Sequence, residues 1–476
     1  MSLQEILGVV NDILANNVLI VLLIAASLWF TFRTRGVQFR MAGEMCRLLI
    51  NSTNKDNAGA SDADKHRHVS SFQAFAVSIA SRVGTGNLAG VAMAIAIGGP
   101  GSVFWMWVIA LLGAATAFIE STLAQLFKVR GKDSFAGGPA YYIQIGIGRR
   151  WWAVTFAVLI TLTFGIAFNT VQANTIADSF AATLAVPREL TASALALLTL
   201  VIVWGGISSI ARFSQIVVPV MAIGYIILAL VVIGLNLPRI PAILLLIVEN
   251  AFGLDSAVGG TMGMALVWGI KRGLFSNEAG EGSTPNAAAT ASVSHPVKQG
   301  LIQALGVFTD TLLICTATAF IILCSGARTG GHDGIVLTQT ALDHEIGDKI
   351  GFTGFGSGFV TTAIFFFAFT SIIANYYYGE TNLRFIKNSP AIILVYRLVV
   401  AGVVYWGGVA RLDIVWSFAD VTMAMMTICN LAALAVLGKY AIRCLQDYQM
   451  QKSQGLDPRY HASTIPEIAD KTTCWP

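Results

Sequence analysis

Residues 71–99 form an apolar segment long enough to cross a bilayer, yet it is cut mid-way by Ser81-Arg82-Val83-Gly84-Thr85-Gly86-Asn87. Two glycines one residue apart, flanked by Arg, Thr and Asn, are costly in hydrocarbon unless the helix breaks there. A break leaves peptide N–H and C=O groups unpaired at membrane depth, which is tolerated only where they line a cavity or hold a solute. The segment is therefore expected to be a discontinuous helix whose half-ends face a small polar ligand and an ion. A glycine packing face competes with this reading, because Gly86 and Gly90 keep the small-xxx-small spacing. Packing, however, needs neither Arg82 nor Asn87.

The rest of the chain supplies the membrane context. Of 476 residues 55% are hydrophobic and 12% charged, against about 25% charged in soluble domains. Apolar runs of roughly 20 residues give eleven spans, at 17–32, 71–99, 102–127, 152–182, 190–207, 213–235, 259–270, 299–324, 358–378, 392–408 and 414–437. The seventh is short because Lys271 and Arg272 cut it off. The stretch after Pro238-Arg239-Ile240-Pro241 is too short to cross and reads as an external interfacial helix. Connections after odd-numbered spans, with the tail, carry 23 of the 30 Lys and Arg, and those after even-numbered spans carry 5. The positive-inside rule then puts the N-terminus outside and the tail in the cytoplasm.

Several functions are excluded at this level. There is no basic cluster with interleaved aromatics for nucleic acid. The six cysteines show no Cys-x-x-Cys pair or His-Cys spacing, so neither a disulfide scaffold nor a zinc site is expected. All six histidines fall in connections or the tail, which argues against a membrane enzyme. The glycine-interrupted spans are the second and the seventh, the latter with Gly259-Gly260, Gly263 and Gly269. They lie five spans apart and cross in opposite directions, the arrangement that marks the binding site of inverted-repeat transporters.

Arg82-Val83-Gly84-Thr85-Gly86-Asn87-Leu88-Ala89-Gly90-Val91-Ala92 resembles the first signature of the prokaryotic alanine/glycine:cation symporter family. Gly273-Leu274-Phe275-Ser276-Asn277-Glu278-Ala279-Gly280-Glu281-Gly282-Ser283 resembles its second, and Gly165–Gln172 and Phe308–Leu312 are similar to further family patterns. The likeness runs from about residue 17 to 439. It implies an all-α polytopic protein with eleven transmembrane helices, a leucine-transporter-type 5+5 inverted repeat preceded by one extra helix. The units expected are 1–70 (first helix and cytoplasmic connection), 71–440 (ten-helix core, repeats about 71–237 and 259–440) and 441–476 (cytoplasmic tail). The activity implied is sodium-driven import of a small neutral amino acid, alanine or glycine, across the bacterial cytoplasmic (inner) membrane, with no organic cofactor. A glutamine or proton-coupled transporter of the same fold is the near alternative, and an ion channel the distant one.

A zwitterionic substrate needs donors for its carboxylate and acceptors for its ammonium. The amides of Thr85 and Gly86, at the start of an outer half-helix, suit the carboxylate. Carbonyls near Ser81–Arg82 and at 267–269 suit the ammonium, with Trp268 and Gly269 at the expected second break. Phe168, Asn169 and Gln172 either complete the pocket or simply pack between helices. By likeness to sodium-coupled leucine-type transporters, the Ala80, Val83 and Phe367 carbonyls and the Thr370 and Ser371 hydroxyls hold Na+. The alternative for that hydroxyl pair is back-bonding to the preceding turn. Arg82, Asn87, Glu120, Asp310, Asn277 and Glu278 are expected to form a gate or charge network. Within it Arg82 should pair with Asp310 or Glu120, and Glu278 with a basic residue of the connections at 34–70 or 128–150.

Overall fold

The computed structural model describes residues 3–55, 69–131, 134–253, 262–326 and 334–475. Apart from a two-stranded hairpin, Val129–Arg130 with Phe135–Ala136, the described residues are helical or irregular. The principal helices are α1 (Leu19–Arg33), α2 (Ser71–Arg82), α3 (Val91–Gly98), α4 (Gly101–Leu126), α5 (Arg150–Leu162) and α6 (Asn169–Leu184). They continue with α7 (Arg188–Val203), α8 (Gly206–Leu235), α9 (Met262–Asn277), α10 (Pro296–Val307) and α11 (Thr316–Ser325). The chain ends with α12 (Phe355–Ile386), α13 (Pro390–Val409) and α14 (Leu412–Ser453).

Among the described residues, eight helical segments are long and apolar enough to cross a membrane unaided. The segments at 71–98, 188–203 and 262–277 fall short of that length, the first because it is interrupted. The short helix expected after Pro241 is present at Ile240–Ala251 and packs its Asn250 Oδ1 onto the Gly101 amide at 2.8 Å. Two further helical pieces, Gly334–Leu342 and Asp348–Ile350, were not anticipated between the eighth and ninth spans. Their mixed polarity hides them from a search for long apolar runs.

The first break is where the glycines put it. α2 is opened by a capping box, Ser70 with Gln73, and ends at Val83 in an extended conformation (ψ 96°). The chain re-enters helix at Thr85, with a wide π-helical turn over Gly86–Gly90 before α3. Such turns cluster at functional sites, and others here span Thr163–Phe168 and Phe308–Cys315.

The second break is displaced from its expected position. α9 runs unbroken from Met262 to Asn277, so the carbonyls at 267–269 are engaged in helix, and Gly259–Gly260 lie outside the described residues. Gly269 serves close packing instead: a methyl there would run into the Ser102 carbonyl and Trp105 of α4. The unwound stretch is 278–284, where Glu278, Gly280 and Gly282 all have positive φ (56°, 91° and 84°). Lys271 and Arg272 do not end the span. They are buried on α9, both paired to Asp420 of α14, Lys271 at 3.1 Å.

The tail folds back onto the bundle. The Ser294 carbonyl accepts from the Tyr460 amide (2.9 Å), and Trp475 Nε1 donates to the Gln125 and Leu126 carbonyls (3.2 Å each). Lys128 lies between the Phe135 and Trp475 rings, 4.0 and 4.7 Å from their centroids. The 42 residues of α14 span about 63 Å at about 1.5 Å per residue, roughly twice the hydrocarbon core of about 30 Å.

Candidate functional site

The interrupted helix α2–α3, π-helical Thr163–Phe168 with α6, the end of α9, Phe308–Cys315, α12 and α14 converge on residues 80–90. On one side of the break the Ser371 hydroxyl of α12 reaches three carbonyl oxygens. Ala80 O lies at 2.9 Å, Phe367 O at 3.0 Å and Val83 O at 3.3 Å. Thr370 Oγ1 bonds Phe367 O at 2.9 Å. The five residues expected at a cation site are thus brought together and all offer oxygen atoms. That is the chemistry a hard, weakly polarisable cation takes. Both hydroxyls also back-bond to the Phe367 carbonyl of the preceding turn, as the alternative reading expects.

On the other side of the break lies an aromatic wall. Phe164, Phe168, Phe275 and Trp416 follow one another with centroid separations of 4.7, 4.4 and 4.8 Å. Gly86 faces it, since a methyl there would come within 3.0 Å of Phe275 and 3.1 Å of the Ser276 Cα. The Thr85 amide donates to Gln172 Oε1 at 2.9 Å, so this donor is already engaged. The Thr85 hydroxyl is buried without a hydrogen-bond partner among the described residues. Asn169 bonds Gly165 O and, through its Oδ1, Asn375 Nδ2 at 3.2 Å.

The charge network differs from the expectation. Arg82 is buried and donates to the Gln303 carbonyl (3.1 Å) and Thr284 Oγ1 (3.2 Å), and among the described residues it forms no ion pair with Asp310 or Glu120. Both carboxylates are already served by neutral donors. Asp310 accepts from Asn87 (2.7 Å), Ser276 (2.7 Å) and Thr311 (3.0 Å). Glu120 accepts the Gly280 and Gly282 amides (3.1 Å each) and Asn430 (2.9 Å). Glu278 is bonded by Ser81 (2.6 Å) and Ser283 (2.5 Å), with no basic partner among the described residues. Its side chain is buried. Asn277 bonds Thr311 and the Ala279 amide.

Trp268 lies apart from the break, its ring 4.7 Å from Lys271 Nζ and 5.4 Å from the Arg272 guanidinium. Sequence reasoning also missed Phe275 and Ser276 as neighbours of Gly86, and Trp416 as a neighbour of Gly90. The Phe275-Ser276 pair stood within the quoted second signature. Trp416, by contrast, is 326 residues from Gly90.

A bundle with an interrupted helix wrapped round an oxygen cage, inside apolar spanning helices, defines a secondary transporter. The comparisons with known proteins say which kind. The sodium:alanine symporter family model matches residues 1–462, and the chain belongs to that family. It is similar to the amino-acid carrier protein AlsT of Bacillus subtilis, 50% identical over 452 residues covering 95% of this chain and 94% of that one. It is also 48% identical to the probable sodium/glutamine symporter GlnT of the same organism, over 100% and 96%. To the sodium/alanine symporter AgcS of Methanococcus maripaludis it is 34% identical, over 92% and 95%. Among solved structures it shares a fold with MhsT in complex with L-phenylalanine, with TM-score 0.53, 14% identity and 80% and 96% coverage. The manganese transporter of Eremococcus coleocola gives TM-score 0.54, 12% identity and 88% and 94% coverage. The molecule is a multi-pass membrane protein of leucine-transporter-type fold, a cation-coupled amino-acid symporter and neither an enzyme nor a channel.

Proposed function

We infer that the chain carries alanine or glycine with Na+ into the cell by alternating access. The observation that carries this is the Ser371 hydroxyl held 2.9–3.3 Å from the Ala80, Val83 and Phe367 carbonyls. In this reading Na+ replaces the hydroxyl proton as the partner of those carbonyls, with the Thr370 hydroxyl as fifth ligand. The ion ties α12 to the first half of the broken helix, so its arrival favours the closed core.

The amino acid lies against residues 85–86. The unpartnered Thr85 hydroxyl supplies one hydrogen bond to the carboxylate, and the Thr85 amide a second once Gln172 swings aside. In this reading the wall of Phe168, Phe275 and Trp416 restricts the amino acid to a short side chain. Arg82 and Glu278 form the gate, because their partners Thr284, Gln303, Ser81 and Ser283 link α2 to α10 and to the loop after α9. The transport unit is 71–440, built of inverted repeats 71–237 and 259–440. The N-terminus lies outside and the tail in the cytoplasm of a bacterial inner membrane.

Glutamine is the second reading, favoured by the 48% identity to a probable sodium/glutamine symporter. Uptake of labelled alanine into proteoliposomes, with unlabelled alanine, glycine, serine and glutamine as competitors, separates the two. Stronger competition by glutamine than by alanine overturns the small-substrate assignment. Uptake indifferent to the sodium gradient overturns the ion.

A further inference from the structure

The loop after α9 carries a carboxyl group that the transport reading above does not use. Three glutamates meet there, and two are fully provided for. Glu120 holds two backbone amides and Asn430, and Glu278 holds two serine hydroxyls. Glu281 is wholly buried, and among the described residues neither of its carboxyl oxygens has a hydrogen-bond partner.

An ionised carboxylate so placed, without a protein donor, is strongly disfavoured, and such a group takes up a proton or a cation instead. The charged groups facing Glu281 are Glu278 of its own loop, Glu120 of α4 and Arg82 of α2. Two of the three repel a negative charge. Arg82 donates through its two terminal nitrogens to Gln303 and Thr284, its Nε is unpartnered among the described residues, and it forms no ion pair with Glu281 there. A shared metal ion does not fit either, because no group of three or more His, Cys, Asp or Glu is arranged to hold one among the described residues. The charge count leads the same way: one guanidinium stands among Glu120, Glu278 and Glu281, and a neutral Glu281 reduces the excess.

We propose that Glu281 is a proton-binding site, protonated in this closed arrangement, which exchanges its proton with solution on the tail side when the 278–284 loop opens. Opening parts Ser81 from Glu278 and admits water to the loop, and the Glu281 proton passes to that water. The ionised side chain must then be reprotonated before the loop can bury it again. Turnover therefore slows as pH rises. This rests on the transporter class and on the Glu278 gate of the proposed function, and not on the choice of sodium ligands.

The test uses the full-length protein in proteoliposomes, with sodium-driven uptake of labelled alanine measured between pH 6 and 9. An ionophore holds both sides at the same pH. Uptake by the unaltered chain at pH 6.5 tests the transport reading by itself. The proposal expects a several-fold fall in rate from pH 6.5 to 8.5, a flat profile for Glu281→Gln and a retained slope for Glu281→Asp. A flat unaltered chain, or the same slope in Glu281→Gln, overturns it. So does a sodium Hill coefficient lowered by Glu281→Gln, which would mean that the side chain holds Na+. Because Glu281→Gln can fail to fold, a second measurement uses the unaltered protein in weakly buffered detergent with an indicator dye. Adding Na+ and alanine is expected to change bound protons by up to one per chain, and no change overturns the proposal.

Discussion

The Ser371 hydroxyl lies 2.9 Å from the carbonyl oxygen of Ala80, across 291 positions of sequence. It touches both the last turn of α2 and its extended end at Val83. Replacing it by hydrogen removes one of five proposed oxygens without disturbing the backbone. Ser371→Ala is expected to raise the sodium concentration for half-maximal uptake about tenfold, a loss of about 1.4 kcal/mol. Maximal uptake at saturating sodium should fall less. An unchanged sodium dependence sinks the cage.

Gly84 has no space for a side chain. A methyl group would run into Ser371 Oγ and come within 2.8 Å of Gln172 Oε1. Both are ends of side chains that can rotate, so the fold should survive at a cost of about 1–3 kcal/mol. The proposed ligands would not stay in place. Gly84→Ala is expected to express and lose uptake, whereas equal uptake by the variant and the parent would show that these atoms are not in the transport path.

Lys271 and Arg272 share one counter-ion, Asp420, and the Arg272 guanidinium also lies 4.4 Å from the Trp416 ring centre. Asp420→Asn strands two buried cations, and breaking a buried pair costs about 3–5 kcal/mol. Lys271→Gln leaves the Arg272 pair intact. The thermal midpoint of purified protein should therefore drop steeply for the first and slightly for the second. Equal shifts refute the assignment.

His295 caps α10. Its Nδ1 accepts from the Val297 amide at 3.2 Å and its Nε2 faces Asp447 Oδ2 at 3.2 Å, so the ring is neutral and donates to the carboxylate. Burial pulls its pKa below the ordinary 6.5, although Asp447 works the other way. The unfolded chain binds the extra proton first, so this group's contribution to stability falls as pH drops below about 6.5. His295→Asn keeps a capping oxygen and does not titrate. Between pH 7 and 5 the thermal midpoint of the parent should fall further than that of His295→Asn. Parallel curves would rule out the neutral cap.

Local chemistry made the first break legible: Gly84, Gly86, Arg82 and Asn87 cannot sit in an ordinary membrane helix. The second was misplaced because a glycine has two uses that look alike in one sequence. Gly269 allows close approach to α4, and the real unwinding begins at Glu278, in a polar stretch that reads as a connection. Lys271 and Arg272 looked like the end of a span because their neutralising partner lies 148 positions further on from Arg272. The same holds for Arg82, whose partners Thr284 and Gln303 are uncharged and about 200 positions away. Pairings of that range leave no periodic trace.

The unbroken course of α14 gives the molecule a mechanical arm. Trp416, beside Phe275, and Asp447, against His295, ride on one rod about 46 Å apart at about 1.5 Å per residue. A tilt of about ten degrees pivoting at Trp416 would sweep the far end by about 8 Å. Small adjustments beside the break would thus be magnified into a displacement wide enough to unseat the segment around Tyr460, and a spectroscopic label near residue 450 would register them.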